Sequence, residues 1–239
     1  MIDPAFPYLS EKDRYSFPPP ETWKDSVIAI GGNLSPGMLL SAYEQGLFPW
    51  YSDGEPILWH SPDPRFVIFP ETLHVSASMK KVLRQSRFTI TFDRDFEAVI
   101  TACSEKERPG QGGTWITKDI IDAYTGLNRL GWAHSAEAWH EGELSGGCYG
   151  IRLGSIFVGE SMFTLKPNAS KAAFITLAQH LFDDDVILID CQQHTRHLES
   201  LGGVEIGRKE YITLLTKILA VRFAGDPDAA DRRGSWATV

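Results

Sequence analysis

Residues 136–163 read AEAWHEGELSGGCYGIRLGSIFVGESMF, a stretch that predicts three consecutive strands. The strands are expected over Ala136 to Glu141, Leu144 to Arg152 and Ser155 to Phe163. The dipeptides Gly142-Glu143 and Leu153-Gly154 separate them, and connections this short join antiparallel neighbours in tight hairpins. We therefore predict an antiparallel meander.

The sequence after the meander predicts a helix, a buried strand and a second helix. The first helix is expected from about Ala169 to Phe182. Val186 to Ile189 is a continuous apolar run, which is typical of a strand buried on both faces. The last helix is expected around Tyr211 and Ile218. The order meander, helix, buried strand, helix is that of the acyltransferase-type α/β fold of the N-acetyltransferase superfamily, so we predict an α/β (α+β) domain of this type over residues 65–224.

Residues 1–64 are predicted to form a small N-terminal domain. Closely spaced prolines near the N-terminus exclude a helix and predict an extended arm. The apolar run from Val27 to Ile30 follows, and then a helix that Ser35 is expected to cap. The aromatic and proline-rich stretch from Phe48 to Arg65 is predicted to have little regular structure. At the other end, residues 225–239 are predicted to be a disordered tail.

The stretch between residue 65 and the meander is predicted to alternate strands with helices. Strands are expected from Phe66 to Phe69 and from Phe88 to Phe92. After the basic helix that lies between them, two further helices are expected to begin at the caps Asp93 and Thr117. Glu105 to Gly113 is a polar, glycine-rich segment and is predicted to be a loop.

The overall charge argues against a general nucleic-acid-binding protein. The net charge is -8 and the isoelectric point is near 5.4, whereas phosphate binding draws on clustered lysine and arginine. One local cluster exists, because Lys80, Lys81, Arg84 and Arg87 occur without an intervening acid in a segment with helical character. Taken alone, this cluster is more typical of a solvated helix face than of a nucleic-acid contact.

The cysteines and the absence of a recognisable targeting signal limit where the protein is expected to be located and which chemistry it is expected to use. The sequence has no basic, apolar signal segment and no apolar run of about 20 residues, so we expect a cytoplasmic protein that does not enter a membrane. Cys103, Cys148 and Cys191 lack metal-ligand spacing and are expected to be buried, reduced thiols. His194 and His197 have no third ligand nearby, and we expect neither a metal nor a cofactor.

Polar residues interrupt two apolar strands. Gly159-Glu160-Ser161 lies within the third meander strand, and Asp190-Cys191-Gln192 follows the buried strand. Neighbouring strands of this fold splay apart at this point, so we expect Glu160 and Asp190 to lie close together. A buried carboxylate needs a hydrogen-bond donor or a cation beside it. The alternative is structural, with Asp190 capping a loop and Glu160 paired with an arginine.

Several short motifs are spread along the chain in a fixed order. They are Phe48-Pro49-Trp50, Trp59-His60-Ser61-Pro62-Asp63-Pro64-Arg65, Gly113-Thr114-Trp115-Ile116-Thr117, Gly159-Glu160-Ser161-Met162-Phe163 and Leu188-Ile189-Asp190-Cys191-Gln192. Together they strongly resemble the leucyl/phenylalanyl-tRNA protein transferase family, from about Phe17 to Leu219. The resemblance implies transfer of Leu or Phe from aminoacyl-tRNA to proteins that begin with Arg or Lys, which then enter N-end-rule degradation.

The resemblance also implies substrate contacts. Trp50 and Trp115 would hold the terminal adenosine of the tRNA by stacking. The residues implied to line the pocket for the aminoacyl side chain are Phe157, Met162, Leu177, Ile189 and Cys148. Cys148 stands where Met is familiar in the family, and Leu177 stands where Phe is. The basic helix from Lys80 to Arg87 would contact the tRNA backbone.

The reactants suggest how the reaction would proceed. An aminoacyl ester is already activated, and an α-amine with a pKa of about 7.7–8.0 is partly neutral near neutral pH. We hypothesise that Gln192 orients this amine through its amide oxygen and that Asp190 either fixes Gln192 or relays a proton. Glu160 would hold the aminoacyl end or attract the basic side chain of the acceptor. No covalent enzyme intermediate is needed.

Two other functions remain open on the sequence. An N-acetyltransferase that uses acyl-CoA shares the fold but needs a glycine-rich pyrophosphate loop, whereas residues 164–168 read TLKPN. A non-enzymatic adaptor for tRNA or basic protein N-termini would not need the polar residues at the strand end. We expect a monomer, because no long apolar stripe is left over.

Overall fold

The computed structural model describes residue 3, residues 5–106 and residues 114–225, the last five of them by backbone only. Most of the predicted loop Glu105 to Gly113 therefore lies outside the described residues. The predicted tail over residues 225–239 also lies outside them, apart from residue 225.

The described residues form strands and helices of varied length. The strands are β1 Val27–Ile30, β2 Phe48–Pro49, β3 Leu58–His60, β4 Arg65–Ile68, β5 Thr89–Phe92, β6 Ala133–His140, β7 Glu143–Leu153, β8 Ile156–Thr164, β9 Leu188–Asp190 and β10 Val204–Ile206. The helices are α1 Pro36–Glu44, α2 Ala77–Arg84, α3 Phe96–Glu105, α4 Lys118–Arg129, α5 Ala169–Asp183, α6 Arg196–Glu199 and α7 Arg208–Gly225.

The larger sheet has seven strands in the order β10-β4-β9-β8-β7-β6-β5. Its neighbours are antiparallel except for β8 and β9, which run parallel from Ile156↔Leu188 to Val158↔Asp190. A parallel pair needs a long crossover, and α5 supplies it. The meander β6-β7-β8, the helix α5, the strand β9 and the helix α7 follow in the predicted order, so the predicted acyltransferase-type α/β fold is confirmed.

The two meander turns lie one residue away from their predicted positions. The first is formed by Glu141 and Gly142, both with positive φ (55° and 81°), and the second begins at Gly154 with φ 61°. A two-residue hairpin turn needs positive φ to match the twist of the flanking strands, and glycine adopts this conformation without strain. The dipeptide alone did not indicate which neighbour joins the glycine in the turn.

The predicted buried strand is shorter than expected. The strand β9 covers only Leu188–Asp190, and Ile187 is 48% exposed, so the prediction of a strand buried on both faces over Val186 to Ile189 is wrong at Ile187. Ile187 still donates its N–H to Ser155 O, at the turn before β8. An apolar run reports burial on average and does not resolve the exposed position within it.

The helix caps are partly as predicted. Thr117 caps α4 by accepting a hydrogen bond from Ile120 N. The predicted cap Asp93 is wrong, because α3 begins after Asp95, whose side chain accepts from Ala98 N. Ser35 occupies the cap position of α1 but makes no capping bond, because its hydroxyl donates to Asn33 and accepts from Leu9 N.

The aromatic, proline-rich stretch from Phe48 to Arg65 is more regular than predicted. Its strands β2 and β3 pair with each other, and β3 also pairs with β1, giving a three-stranded sheet in the order β1-β3-β2. The prediction of little regular structure missed these strands because they are only two and three residues long. Strands this short carry no periodicity that a sequence pattern can reveal.

Two hydrophobic clusters contain the buried apolar side chains. The first combines residues of α1 and the small sheet with residues of α3, α4 and α7. The second combines residues of α5 with strand residues of the larger sheet that are not in the first cluster, and it also contains Met79 of α2. Within the described residues, the helices are too short or too polar for any of them to cross a lipid bilayer.

Candidate functional site

The candidate site lies where the parallel strands β8 and β9 separate. Their pairing ends at Val158↔Asp190, after which β8 continues beside β7 alone. The chain beyond Asp190 turns through Gln192, whose φ is 63°. A left-handed conformation is uncommon for a residue with a Cβ and is held here by surrounding contacts. The separation leaves Glu160 on one side and Gln192 on the other, as the strand pattern predicts.

Asp190 is held by donors on both of its carboxylate oxygens. Its side chain is 0% exposed and forms a bidentate ion pair with Arg65 of β4, with Nε to Oδ1 at 2.8 Å and Nη2 to Oδ2 at 2.6 Å. The Tyr211 hydroxyl donates to Oδ2 at 2.8 Å, and Gln192 N donates to Oδ1 at 2.8 Å. Asp190 therefore fixes the turn at Gln192 through the backbone N–H.

Arg65 completes the polar arrangement below the site. Its Nη1 donates to Gly46 O at 3.2 Å, and its guanidinium lies 4.4 Å from the centre of the Tyr211 ring. Burial is the largest single effect on the pKa of Arg65 and lowers it, but the charges and hydrogen bonds of Asp190 and Tyr211 together raise the pKa above its ordinary value. Burial raises the pKa of Tyr211, and the Asp190 charge raises it further.

Glu160 is the second buried carboxylate and has a different environment. Its Oε1 accepts from the Tyr43 hydroxyl at 2.7 Å and from Gln192 Nε2 at 3.0 Å. The Tyr43 hydroxyl also hydrogen-bonds the hydroxyl of Tyr124. Its Oε2 is buried without a hydrogen-bond partner among the described residues. One oxygen of Glu160 is therefore anchored and the other is not.

The electrostatic surroundings favour a proton on Glu160. Its pKa is raised to about 8, because burial raises it by more than the hydrogen bond from Tyr43 lowers it, and the nearby Asp190 charge also raises it. Burial also raises the pKa values of Tyr43 and Tyr124 well above their ordinary value, so both hydroxyls remain donors. A carboxyl with a pKa near 8 exchanges its proton close to physiological pH.

A cavity of about 550 Å³ opens beside Glu160. Its apolar side chains include Cys148, Phe157, Met162, Phe174 and Leu198, and its polar ones include Lys106, Ser161, Gln193, Thr195 and His197. A concave site that combines apolar and aromatic side chains with polar groups is the usual form of a small-molecule site.

The predicted pocket residues divide into two groups. Phe157, Met162 and Cys148 line the cavity. Leu177 and Ile189 do not belong to its wall, because both are 0% exposed and lie in the second hydrophobic cluster. Phe174, one turn before Leu177 on α5, lines the cavity and was not predicted. The α5 periodicity marks several inward residues alike and does not say which of them faces a cavity.

The predicted tryptophan pair is brought together. The rings of Trp50 and Trp115 lie 6.2 Å apart between centroids with an interplanar angle of 38°. Trp50 lines the cavity, whereas Trp115 is 8% exposed and packs in the first hydrophobic cluster. An aromatic face at a cavity wall can stack a planar base, and Trp50 offers such a face with Trp115 packed against it.

The cysteines do not offer a nucleophile. Cys191 lines the cavity, but burial raises the pKa of its thiol, as it does for Cys148. A buried thiol that holds its proton is a small apolar group and not a reactive one.

His194 contacts Glu199 at 3.3 Å, and the described residues contain no group of three or more potential metal-ligating side chains.

The predicted basic cluster lies on the surface and contributes no residue to the cavity wall. Lys80, Lys81 and Arg84 belong to α2, and Arg87 follows it, with all four side chains exposed. Arg84 Nε donates to Lys80 O, and Arg87 lies over the Phe88 ring. Among the ion pairs of the described residues, none involves these four side chains. Their charge is free to act on solvent or on a partner.

Sequence reasoning missed four side chains of the site, namely Arg65, Tyr211, Tyr43 and Tyr124. For Arg65 a signal was present, since a charged residue that opens the apolar run Phe66 to Ile68 must be paired if the strand is buried. The tyrosines gave no such signal, because a tyrosine on an apolar helix face is usual core material.

Comparison with known proteins agrees with the family that the sequence motifs resemble. Residues 67–216 match the family described as leucyl/phenylalanyl-tRNA protein transferase, and residues 32–63 match the N-terminal domain of that family. The leucyl/phenylalanyl-tRNA–protein transferase of Myxococcus xanthus (strain DK1622) is 48% identical over 229 residues, which cover 95% of this chain and 94% of that protein. The protein of the same description from Anaeromyxobacter sp. (strain Fw109-5) is 51% identical over 221 residues, covering 91% and 94%.

The solved structures that match are more distant. L-PGS from Bacillus licheniformis aligns with a TM-score of 0.38 at 12% identity, over 63% of this chain and 48% of that one. Likeness of this degree adds nothing to the fold or the function, which rest on the strand order and on the sequence matches. With both parts of the family matched along one chain, and relatives near 50% identity over almost their whole length, the chain belongs to the leucyl/phenylalanyl-tRNA protein transferase family.

Proposed function

We propose that this enzyme transfers Leu or Phe from aminoacyl-tRNA to proteins that begin with Arg or Lys. The observation that carries the proposal is the cavity beside Glu160, whose wall contains Phe157, Met162 and Phe174. Such a wall suits an aliphatic or aromatic side chain and disfavours a charged one, because an unpaired buried charge is costly. In this proposal Cys148 also contacts the aminoacyl side chain, and Leu177 and Ile189 support the wall from behind.

The donor end would be held by the tryptophan pair. Trp50 belongs to the cavity wall and packs against Trp115, so an adenosine stacked there lies next to the cavity. The exposed cations Lys80, Lys81, Arg84 and Arg87 would contact the tRNA backbone, which is read by charge without base recognition.

The proposed chemistry is direct attack of the acceptor's α-amine on the ester carbonyl. Gln192 donates its Nε2 to Glu160, which leaves its amide oxygen to accept a hydrogen bond from the amine and so to orient it. Asp190 is a positioning residue, because its oxygens are occupied by Arg65, Tyr211 and Gln192 N. The ribose oxygen leaves and is reprotonated.

The acceptor and its fate complete the proposal. The net charge of -8 favours the approach of a basic N-terminus by long-range attraction. The extended protein would enter N-end-rule degradation, and the reaction is assigned to the cytoplasm, where charged tRNA is used. We further propose that the enzyme acts as a monomer and that residues 1–64 and 65–224 are its two domains.

The test combines purified protein, leucyl-tRNA and a peptide that begins with Arg, with mass spectrometry to detect extension by one leucine. Peptides that begin with Lys should also be extended, whereas matched peptides that begin with Glu should not. Acetyl-CoA in place of leucyl-tRNA is the control for the acyl-CoA alternative. Acetylation without leucine transfer, or binding of both substrates without product, would contradict the proposal.

A further inference from the structure

Glu160 and Asp190 are the two buried carboxylates at the place where β8 and β9 separate, and only Glu160 has an oxygen without a hydrogen-bond partner among the described residues. Asp190 accepts four hydrogen bonds, is 0% exposed and is not part of the cavity wall. Glu160 lines the cavity, and its Oε2 has no partner among the described residues. A base must lie within hydrogen-bond reach of the proton that it removes. This geometry favours Glu160 over Asp190.

We propose that Glu160 is the proton shuttle of the transfer reaction and that Tyr43 positions it. The inference rests on the proposed function. The neutral α-amine forms the N–C bond with the ester carbonyl carbon and gives one proton to Glu160 Oε2. The C–O bond to the ribose then breaks, and the ribose oxygen takes that proton from Glu160. The carboxylate is restored, so no other reactant is needed.

The groups around Glu160 fit this role. Tyr43 of α1 and Gln192 both donate to Oε1, which fixes the carboxyl group and leaves Oε2 as the reactive oxygen. The burial that raises the pKa of Glu160 to about 8 brings it close to the pKa of an α-amine, about 7.7–8.0, so proton transfer between the two is nearly balanced.

The other titratable groups near Glu160 are less suited. Tyr43 and Tyr124 keep their protons, because burial raises their pKa values, and Arg65 is engaged by Asp190. His197 also lines the cavity, but burial lowers its pKa, and the nearby Lys171 and Lys106 lower it further, which makes it a weaker base.

The test is the pH dependence of kcat/KM for the acceptor peptide at saturating leucyl-tRNA. In the wild type, both the amine and Glu160 must lose a proton, so kcat/KM should rise about a hundredfold per pH unit well below their pKa values. In Glu160→Gln only the amine titrates, so the rise should be about tenfold per unit, and kcat/KM near pH 8 should fall by about 10²–10⁴.

Glu137→Gln is the matched control. Glu137 is also fully buried with a pKa raised by burial, but it bonds Ser135 and Thr91 and does not line the cavity. This variant should keep the hundredfold rise. A Glu160→Gln enzyme that keeps the hundredfold rise, whether active or impaired, would overturn the inference and leave the proposed function intact. Absence of transfer by the wild type would overturn the proposed function and this inference together.

A second variant keeps the inference testable if Glu160→Gln does not fold. Tyr43→Phe removes a hydrogen bond to the ionised carboxylate, so the pKa of Glu160 should rise and the pH profile of kcat/KM should move to higher pH. Infrared titration of the protonated carboxyl band should show the same displacement without a turnover assay. An unmoved profile and an unmoved band would overturn the role given to Tyr43 and to Glu160.

Discussion

Glu160 and Asp190 lie a few ångströms from the same glutamine, yet their surroundings differ. Asp190 has an arginine, a tyrosine hydroxyl and a backbone N–H on its two oxygens. Glu160 has both of its donors on one oxygen and none on the other. A carboxylate that is fully paired holds its neighbours in place, whereas one that is half paired can exchange a proton. This asymmetry supports the different roles that we propose for the two carboxylates.

The raised pKa of Glu160 is expected to make the free energy of unfolding depend on pH. The folded protein keeps this proton between the ordinary pKa of 4.5 and the folded value of about 8, a range in which the unfolded chain has lost it. The stability that this proton contributes is fully present below the unfolded pKa and is lost as pH rises through the folded value. We therefore expect the free energy of unfolding of Glu160→Gln, relative to wild type, to increase between about pH 5 and about pH 8, by at most about 1.4 kcal/mol per unit. Urea unfolding across this range measures it, and a constant difference would contradict the assignment.

Variants of the Arg65–Asp190 pair can distinguish its contribution to stability from its role in positioning Gln192. Arg65→Met leaves a buried carboxylate without its cation and should cost about 3–5 kcal/mol of unfolding free energy. Replacing both residues, as Arg65→Met with Asp190→Leu, removes both charges and should recover most of that loss. Transfer activity should stay low in the double variant, because Gln192 N has lost its acceptor. Recovery of both stability and activity would contradict the positioning role of Asp190.

At the scale of elements, substitutions in the basic cluster of α2 test whether this helix contacts the tRNA. A protein that neutralises phosphates loses affinity as salt rises, with a slope of about 0.7–0.9 per contact. Replacing Lys80, Lys81, Arg84 and Arg87 with glutamine should weaken binding of uncharged tRNA and flatten its salt dependence. The control replaces Lys209 and Lys217, exposed lysines of α7. Filter binding at several salt concentrations measures the slope, and equal slopes for the two variants would exclude α2 as a contact.

Elements with a clear local signal were predictable, and those without one were not. Thr117 was identified as a cap because a hydroxyl before an apolar stripe satisfies an exposed N–H at a helix start. Asp93 had the same signal but lies at positive φ, with its carboxylate on Ser135 N and beside His134. Those partners come from β6, so long-range contacts decided between two aspartates that look alike in sequence.

At the scale of the whole molecule, the first hydrophobic cluster joins the two predicted domains. It contains Leu40 and Trp59 from the small sheet and its helix, together with Ile100 and Leu127 from the helices of the larger part. We expect a single cooperative unfolding transition over the chain, with circular dichroism and tryptophan fluorescence coinciding in urea. Separated transitions would mean that the predicted boundary at residue 64 divides two units that are stable independently.

From the sequence, only those site residues that lie within or directly after a predicted strand could be identified. Glu160 and Asp190 stood out because each interrupts an apolar strand, and the fold predicts that the two strands adjoin. Their partners did not stand out, because Tyr43 lies 117 residues from Glu160 and Arg65 lies 125 residues from Asp190. Pairings over such distances depend on the assembled sheet order, which no local pattern contains.

The position of β4 between β9 and β10 also governs when the enzyme can begin to work during its synthesis. Arg65 is translated 125 residues before Asp190, and Tyr211 follows 21 residues later. A chain grows from its N-terminus, so the first strand of the large sheet waits, with its arginine unpaired, until nearly all of the protein has been made. We therefore expect a nascent chain to lack transfer activity until α7 emerges, and a chain that ends before Tyr211 to be inactive.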